Sequence, residues 1–181
     1  PAPYSPCFVA LDKETGKLVA EEASGIGEST MHCNWSSPAF SKDIGGDATV
    51  VFGAGDGFTY GFHSDQFDEE KDGDETFNLL QELWKVDCCP KEYRVDEAGE
   101  PIKYATYPGP SEIISSPVVY NGKVYSAIGQ DPEHGEGMGA VTCIDPTKGA
   151  GQDAIVWQFK EIGRTISTPS IADGFLYIAD Y

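Results

Sequence analysis

Apolar and polar positions alternate in short runs along most of the chain, and turn-forming residues separate the runs. Such alternation is typical of β-strands that bury one face. Within residues 114–129, "ISSPVVYNGKVYSAIG", two alternating runs flank Asn121 and Gly122. Because both of these residue types tolerate a positive φ, the pair predicts a tight hairpin turn. The overall pattern predicts an all-β protein in which helix is scarce.

A similar stretch of sequence occurs more than once in the chain, which indicates an internal repeat. Residues 166–181, "ISTPSIADGFLYIADY", match residues 114–129 position by position, with Asp-Gly at the turn. A looser copy, "WSSPAF" at residues 35–40, opens a third unit that has a longer polar loop. Unequal loop lengths do not argue against a repeat, since lengthening a surface loop costs little free energy.

Each unit is predicted to hold four antiparallel strands, and the last strand often carries Trp. Short, evenly spaced strands fit a sandwich or a propeller, but recurring Ser-Pro and Trp positions favour radial repetition. We therefore predict one segment of a β-propeller over residues 1–181. Its predicted parts are a half-blade at 7–22, full blades at 35–89 and 112–161, and a half-blade at 166–181.

The repeat unit resembles that of the pyrroloquinoline-quinone (PQQ) family, also called quinoprotein-type β-propellers. In that family a strand ending in Asp leads through Thr-Gly to a strand that ends in Trp. Asp12 and Thr15 match this pattern, although Ala20 stands at the Trp position, which Trp84 and Trp157 occupy in the later units. Phrases such as "RTISTPSIADG" are similar to propeller proteins of planctomycete-like bacteria. The resemblance implies that each Trp docks on the neighbouring blade, and it implies a periplasmic or otherwise extracytoplasmic location.

Propellers contain roughly four to eight blades, more than these units supply. We therefore expect the chain to be part of a larger product, or to form a homo-oligomer that completes the propeller. The expected partners are the remaining blades or another protein. No basic segment followed by an apolar run opens the chain, so a signal peptide is either absent or already removed.

Charge and hydropathy narrow the classes of partner. Thirty acidic and twelve basic residues give a formal net charge of −18, which disfavours binding to a phosphate backbone. No run approaches the ~20 apolar residues of a membrane span. Part of the acidity lies in residues 65–75, "DQFDEEKDGDE", which we predict to be a solvated loop rather than a calcium site.

The strongest candidate for ligand binding is the Gly-rich segment 129–139, "GQDPEHGEGMG", between two predicted strands. Its carboxylates and imidazole could ligate calcium or another divalent ion. A polar loop without a ligand remains the alternative. The candidate metal ligands are Asp131, Glu133, His134 and Glu136.

Five cysteines include the adjacent pair Cys88 and Cys89, and no C-x-x-C motif occurs. The resemblance raises the possibility of a vicinal disulfide, because some quinoprotein alcohol dehydrogenases carry one beside the quinone. Strand alternation instead predicts two reduced thiols, one facing inward and one outward.

Two functions follow from these observations. The first is a non-catalytic binding or scaffolding module of the PQQ-like propeller type. The alternative is part of a PQQ- and calcium-dependent quinoprotein dehydrogenase that oxidises an alcohol or a sugar. No position in the chain can be assigned to a quinone site or to a catalytic Asp, so PQQ is expected only under the alternative.

Overall fold

A computed structural model describes residues 5–134 and 138–180, with 46% of residues in strands and 10% in helical turns. The prediction of an all-β protein is confirmed. No helix in the described part of the chain is long and apolar enough to cross a membrane.

The strands are β1 (Val9–Leu11), β2 (Leu18–Glu21), β3 (Ala39–Ile44), β4 (Asp47–Gly53), β5 (Phe58–Asp72), β6 (Glu75–Asp87), β7 (Val118–Tyr120), β8 (Lys123–Ile128), β9 (Ala140–Ile144), β10 (Ile155–Phe159), β11 (Ser170–Ala172) and β12 (Phe175–Tyr177). The helical turns are α1 (Ile26–Ser29), α2 (Lys91–Arg94) and the 3₁₀ turns Pro132–His134, Pro146–Lys148 and Gly151–Ala154.

The largest sheet has six strands in the order β1-β2-β6-β5-β4-β3 and is curled like half a barrel. Its strands β3 to β6 follow one another in sequence and pair antiparallel. The β1–β2 hairpin joins this set through one parallel pair, between Glu21 on β2 and Leu79 on β6. The sheet therefore combines four consecutive antiparallel strands with a hairpin from earlier in the chain.

The second sheet repeats the arrangement of four consecutive antiparallel strands, in the order β10-β9-β8-β7. A separate hairpin, β11–β12, follows it. The turn between β7 and β8 has φ of 50° at Asn121 and 71° at Gly122, as the Asn-Gly pair predicts. Asp173 and Gly174 also have positive φ, 51° and 82°, between β11 and β12.

The first residues of the three repeat copies lie side by side in space. The Ser37 N–H donates to Ser116 Oγ at 3.3 Å, and the Ser116 N–H donates to Thr168 Oγ1 at 3.2 Å. Each of these residues immediately precedes the proline of its repeat, and they are 79 and 52 positions apart. We call this set of bonds between equivalent positions the serine ladder.

Trp84 on β6 lies in the main core, together with Val124 on β8 and Ile144 on β9 of the second sheet, and only 6% of it is exposed. Gly61 is its partner across β5 and β6, and a Cβ on Gly61 would come within 2.2 Å of the indole ring. The indole of Trp84 therefore packs directly on the backbone of Gly61, which has no side chain to separate them. Within the described residues the indole Nε1 is buried without a hydrogen-bond partner.

Trp157 differs from Trp84 although the repeat places them at equivalent positions. It lies on β10, at the edge of the second sheet, and 42% of it is exposed. Its ring contacts Tyr125 with a centroid separation of 6.0 Å. The expectation that both tryptophans are packed is therefore wrong for Trp157, because no described strand covers the outer edge of β10.

The acidic segment 65–75 is not the predicted loop. Strand β5 continues to Asp72, and β6 begins at Glu75 after a tight turn with φ of 61° at Gly73. We call the paired residues 67–80 the acidic ribbon. Phe67 faces Leu80 across the two strands, and this apolar pair supports the pairing while the carboxylates stay in solvent.

Residues 88–117 connect the two sheets, and an ion pair fixes this segment to the first sheet. Arg94 Nε and Nη2 donate to the two carboxylate oxygens of Asp87 at 2.8 and 2.6 Å. The same Nη2 donates to the carbonyl of Asp56 at 2.7 Å. This planar, two-point contact holds α2 against the turn between β4 and β5.

Candidate functional site

A cleft of about 460 Å³ lies where the three repeat copies begin. Trp35, Ile114 and Ile166 line it, and each stands three residues before the proline of its repeat. We call it the repeat cleft. Trp35 is 53% exposed and Ile166 is 44% exposed. The cleft therefore presents apolar side chains to solvent.

A group of potential metal ligands borders the repeat cleft, and we call His32, Asp131 and His134 the imidazole site. One ligand atom from each residue lies within 4.8 Å of the others. His32 Nε2 is 3.3 Å from Asp131 Oδ2, and His134 Nδ1 is 4.0 Å from the same oxygen. Across the described ranges, no other three His, Cys, Asp or Glu side chains converge in this way.

The 3₁₀ turn Pro132–His134, between β8 and β9, sets the position of the Asp131 carboxylate. Asp131 Oδ1 accepts the Glu133 N–H at 2.8 Å, and the Asp131 carbonyl accepts the His134 N–H at 3.0 Å. The side-chain amide of Gln130 donates to the His134 carbonyl at 3.1 Å. Because Oδ1 is engaged by the turn, Oδ2 is the oxygen that faces both imidazoles.

His32 comes from a different part of the chain, between α1 and β3. The buried carboxylate of Glu112 holds the next residue, Cys33, in place. Glu112 Oε2 accepts the Cys33 N–H, and Glu112 Oε1 accepts the Tyr104 hydroxyl, both at 3.3 Å. The Tyr104 ring lies nearly parallel to the imidazole of His32, with centroids 6.1 Å apart. Burial raises the pKa of Glu112, and burial beside Glu112 raises the pKa of Tyr104. The tyrosine therefore remains a hydrogen-bond donor at neutral pH.

The four sequence candidates have different outcomes. Asp131 and His134 lie together at the imidazole site. Glu133 borders the same cleft but is exposed and outside the converging group, and Glu136 lies outside the described residues. His32 was not among the candidates. No local spacing marks it, because its partners are distant in the sequence and only the packing of the repeats brings them together.

Two imidazole nitrogens and one carboxylate oxygen form a mixed donor set. Zinc and related first-row transition ions accept such a set, whereas calcium prefers roughly six to eight oxygen ligands. Without a metal, the same three groups can share a proton between the carboxylate and an imidazole. The imidazole site therefore has the chemistry of a metal centre or of a His–Asp ion pair.

Cys88 and Cys89 are free thiols, and both are buried. Cys88 Sγ lies 3.2 Å from Thr59 Oγ1, whereas Cys89 Sγ donates to the carbonyl of Ser111 at 2.9 Å. Burial raises the pKa of each thiol to about 12. Two reduced thiols are as expected, but the expectation that one would face outward is wrong, because Cys88 packs against Thr59 on β5 while Cys89 is covered by the connecting segment at Ser111.

Comparison with protein-family models and with curated proteins finds no match to this chain. The resemblance to quinoprotein-type propellers therefore stays a prediction from the repeat residues.

Proposed function

We propose that the chain is a segment of a PQQ-like β-propeller and acts as a non-catalytic binding or scaffolding module. The observation that carries this proposal is the serine ladder. In a propeller, the innermost strands of successive blades stand side by side around one axis. Hydrogen bonds that join equivalent positions of three repeats are what such a radial arrangement requires.

The surroundings of Trp84 give the propeller proposal a second support. Trp84 shares a small cleft with Pro146, Thr147 and Gly149, in the connection between β9 and β10. The β3–β4 turn approaches the same connection, since a Cβ on Gly45 would lie 3.3 Å from the Thr147 methyl group. This is the kind of docking between one blade and the next that the resemblance implies.

The binding role rests on the repeat cleft and on the net charge. Solvent-exposed Trp and Ile side chains grouped in one concave surface are typical of interaction sites. A net charge of −18 attracts cationic partners and speeds their association. The proposed partner is therefore a protein, in an extracytoplasmic compartment, that presents an apolar side chain flanked by basic residues.

Peptide display on the purified chain tests this proposal directly. Selected peptides should be basic, should change the fluorescence of Trp35, and should lose about tenfold or more in affinity with Trp35→Ser. The control is Tyr120→Ser, which removes another exposed aromatic side chain that is not part of the repeat-cleft lining. Peptides that bind Trp35→Ser as tightly as the unaltered chain would contradict a binding role for the cleft.

A second assay separates the binding module from the quinoprotein dehydrogenase. PQQ and calcium are added to the chain, and the absorbance of bound quinone and dye-linked oxidation of alcohols and sugars are measured. A binding module gives neither signal. Sedimentation of the same sample tests the proposed homo-oligomer, since a self-completing propeller must sediment as more than one chain.

A further inference from the structure

We propose that the imidazole site, His32, Asp131 and His134, binds one divalent transition-metal ion of the zinc class. The site lies within one chain, and the inference does not depend on the proposed function. It differs from the metal loop expected from the sequence, because it takes a ligand from the segment before β3 and does not need Glu133.

The spacing of the three side chains suits such an ion. Zinc ligands lie about 2.1 Å from the metal, so neighbouring ligands of a tetrahedral site are about 3.4 Å apart. The His32 Nε2 to Asp131 Oδ2 distance of 3.3 Å already matches this value. His134 Nδ1 is 4.0 Å from the same oxygen, and the three ligand atoms lie within 4.8 Å of one another, so His134 must move closer when an ion binds.

An unsatisfied atom points independently to a missing ligand. His134 Nδ1 is buried and has no hydrogen-bond partner within the described ranges. Its distance from Asp131 Oδ2 is too long for a hydrogen bond. A His–Asp pair without metal accounts for the contact made by His32, but it leaves this nitrogen unsatisfied. A metal ion between the three groups would satisfy it.

The groups around the imidazole site hold its ligands in place, as the surroundings of protein metal sites generally do. The turn at residues 131–134 engages Asp131 Oδ1 and leaves Oδ2 for the ion. Glu112 holds the backbone next to His32. Three protein ligands leave at least one coordination position open, and the repeat cleft gives water or a group from a bound partner access to it.

The test uses the chain purified without a histidine tag and freed of metal with a chelator. Zn²⁺ binding is measured by competition with a chromophoric chelator, and Co²⁺ by its visible absorption. We expect one ion per chain, with Ca²⁺ unable to displace it. The variants His32→Ala, Asp131→Asn and His134→Ala should each weaken Zn²⁺ binding by about a hundredfold or more, since loss of an outer-shell partner alone costs about 10- to 100-fold.

Glu133→Gln is the matched control, because it removes one carboxylate charge two residues from Asp131. Its affinity for Zn²⁺ should stay within about threefold of the unaltered chain. Imidazole NMR of the unaltered protein provides a readout that needs no variant: Zn²⁺ should shift the signals of His32 and His134 and leave those of His63 in place. Absence of stoichiometric binding, preference for Ca²⁺, or equal losses in Glu133→Gln and Asp131→Asn would overturn the proposal.

Discussion

The packing of Trp84 on Gly61 allows a quantitative test of how the two sheets are joined. Two substitutions perturb it from opposite sides. Trp84→Ala removes the indole that contacts the second sheet. Gly61→Ala adds a methyl group that would come within 2.2 Å of the indole ring, so the ring must move or the strands must separate.

The expected costs follow from burial. A Trp buries about 150–250 Å², which at about 25 cal/mol per Å² corresponds to roughly 4–6 kcal/mol. Residual burial in the unfolded chain lowers this value, so we expect Trp84→Ala to cost about 3–5 kcal/mol. Gly61→Ala should cost about 1–3 kcal/mol through overpacking. Trp157 is 42% exposed, so scaling the Trp84 estimate by the buried fraction gives a cost of about 2–3 kcal/mol for its replacement by Ala.

The assay is equilibrium urea unfolding followed by far-ultraviolet circular dichroism, which does not depend on the indole that is removed. The double variant Gly61→Ala/Trp84→Ala completes the cycle. Once the indole is gone, the new methyl group fills part of the space, so the double variant should be about 1–3 kcal/mol more stable than the sum of the single losses.

Two results would refute this reasoning. Strict additivity of Gly61→Ala and Trp84→Ala would mean that the methyl group and the indole do not compete for space. A loss in Trp84→Ala no greater than that in Trp157→Ala would mean that Trp84 does not stabilise the contact between the sheets.

Three further predictions concern the rest of the chain. Cys88 and Cys89, with pKa values raised to about 12 by burial, should react with thiol reagents at least tenfold more slowly than the partly exposed cysteines, and mass spectrometry of labelled peptides checks this. Arg94→Lys should cost about 1–3 kcal/mol in urea unfolding, because Lys cannot make the paired bonds to Asp87 and reach the Asp56 carbonyl as well. Raising the salt concentration should raise the melting temperature in calorimetry, since screening weakens repulsion within a chain of net charge −18, and a fall would contradict this.

Local chemistry explains which parts of the fold could be predicted from the sequence. The turn at Asn121 and Gly122 was predictable because few residue pairs tolerate a positive φ at both positions. The acidic ribbon was not, because its many carboxylates resemble a solvated loop while the pairing depends on a few apolar side chains such as Phe67 and Leu80. Composition alone does not reveal which residues will face each other across two strands.

The candidate site was only partly predictable for a different reason. Asp131 and His134 lie in one short turn, so their proximity follows from sequence spacing. His32 reaches them only because the serine ladder sets the beginnings of the repeats side by side. The exposure of Trp157 is also a tertiary property, because it depends on what packs against β10 and not on the repeat position.

The β1–β2 hairpin makes only one backbone pair with the rest of its sheet within the described residues, and this shapes how the molecule opens. Its parallel pair at Glu21 and Leu79 is assisted by the bond from Asn78 Nδ2 to the Val19 carbonyl and by the stacking of Phe8 on Phe52. Ala20 and Phe8 also pack into the apolar core of the first sheet, so side-chain packing rather than backbone pairing holds the hairpin in place, and loss of that packing would free the hairpin before the rest of the sheet unfolds. Detachment would uncover the apolar face beneath it. Resistance to proteolysis and to aggregation would then depend on the stability of this hairpin more than on the global stability of the protein.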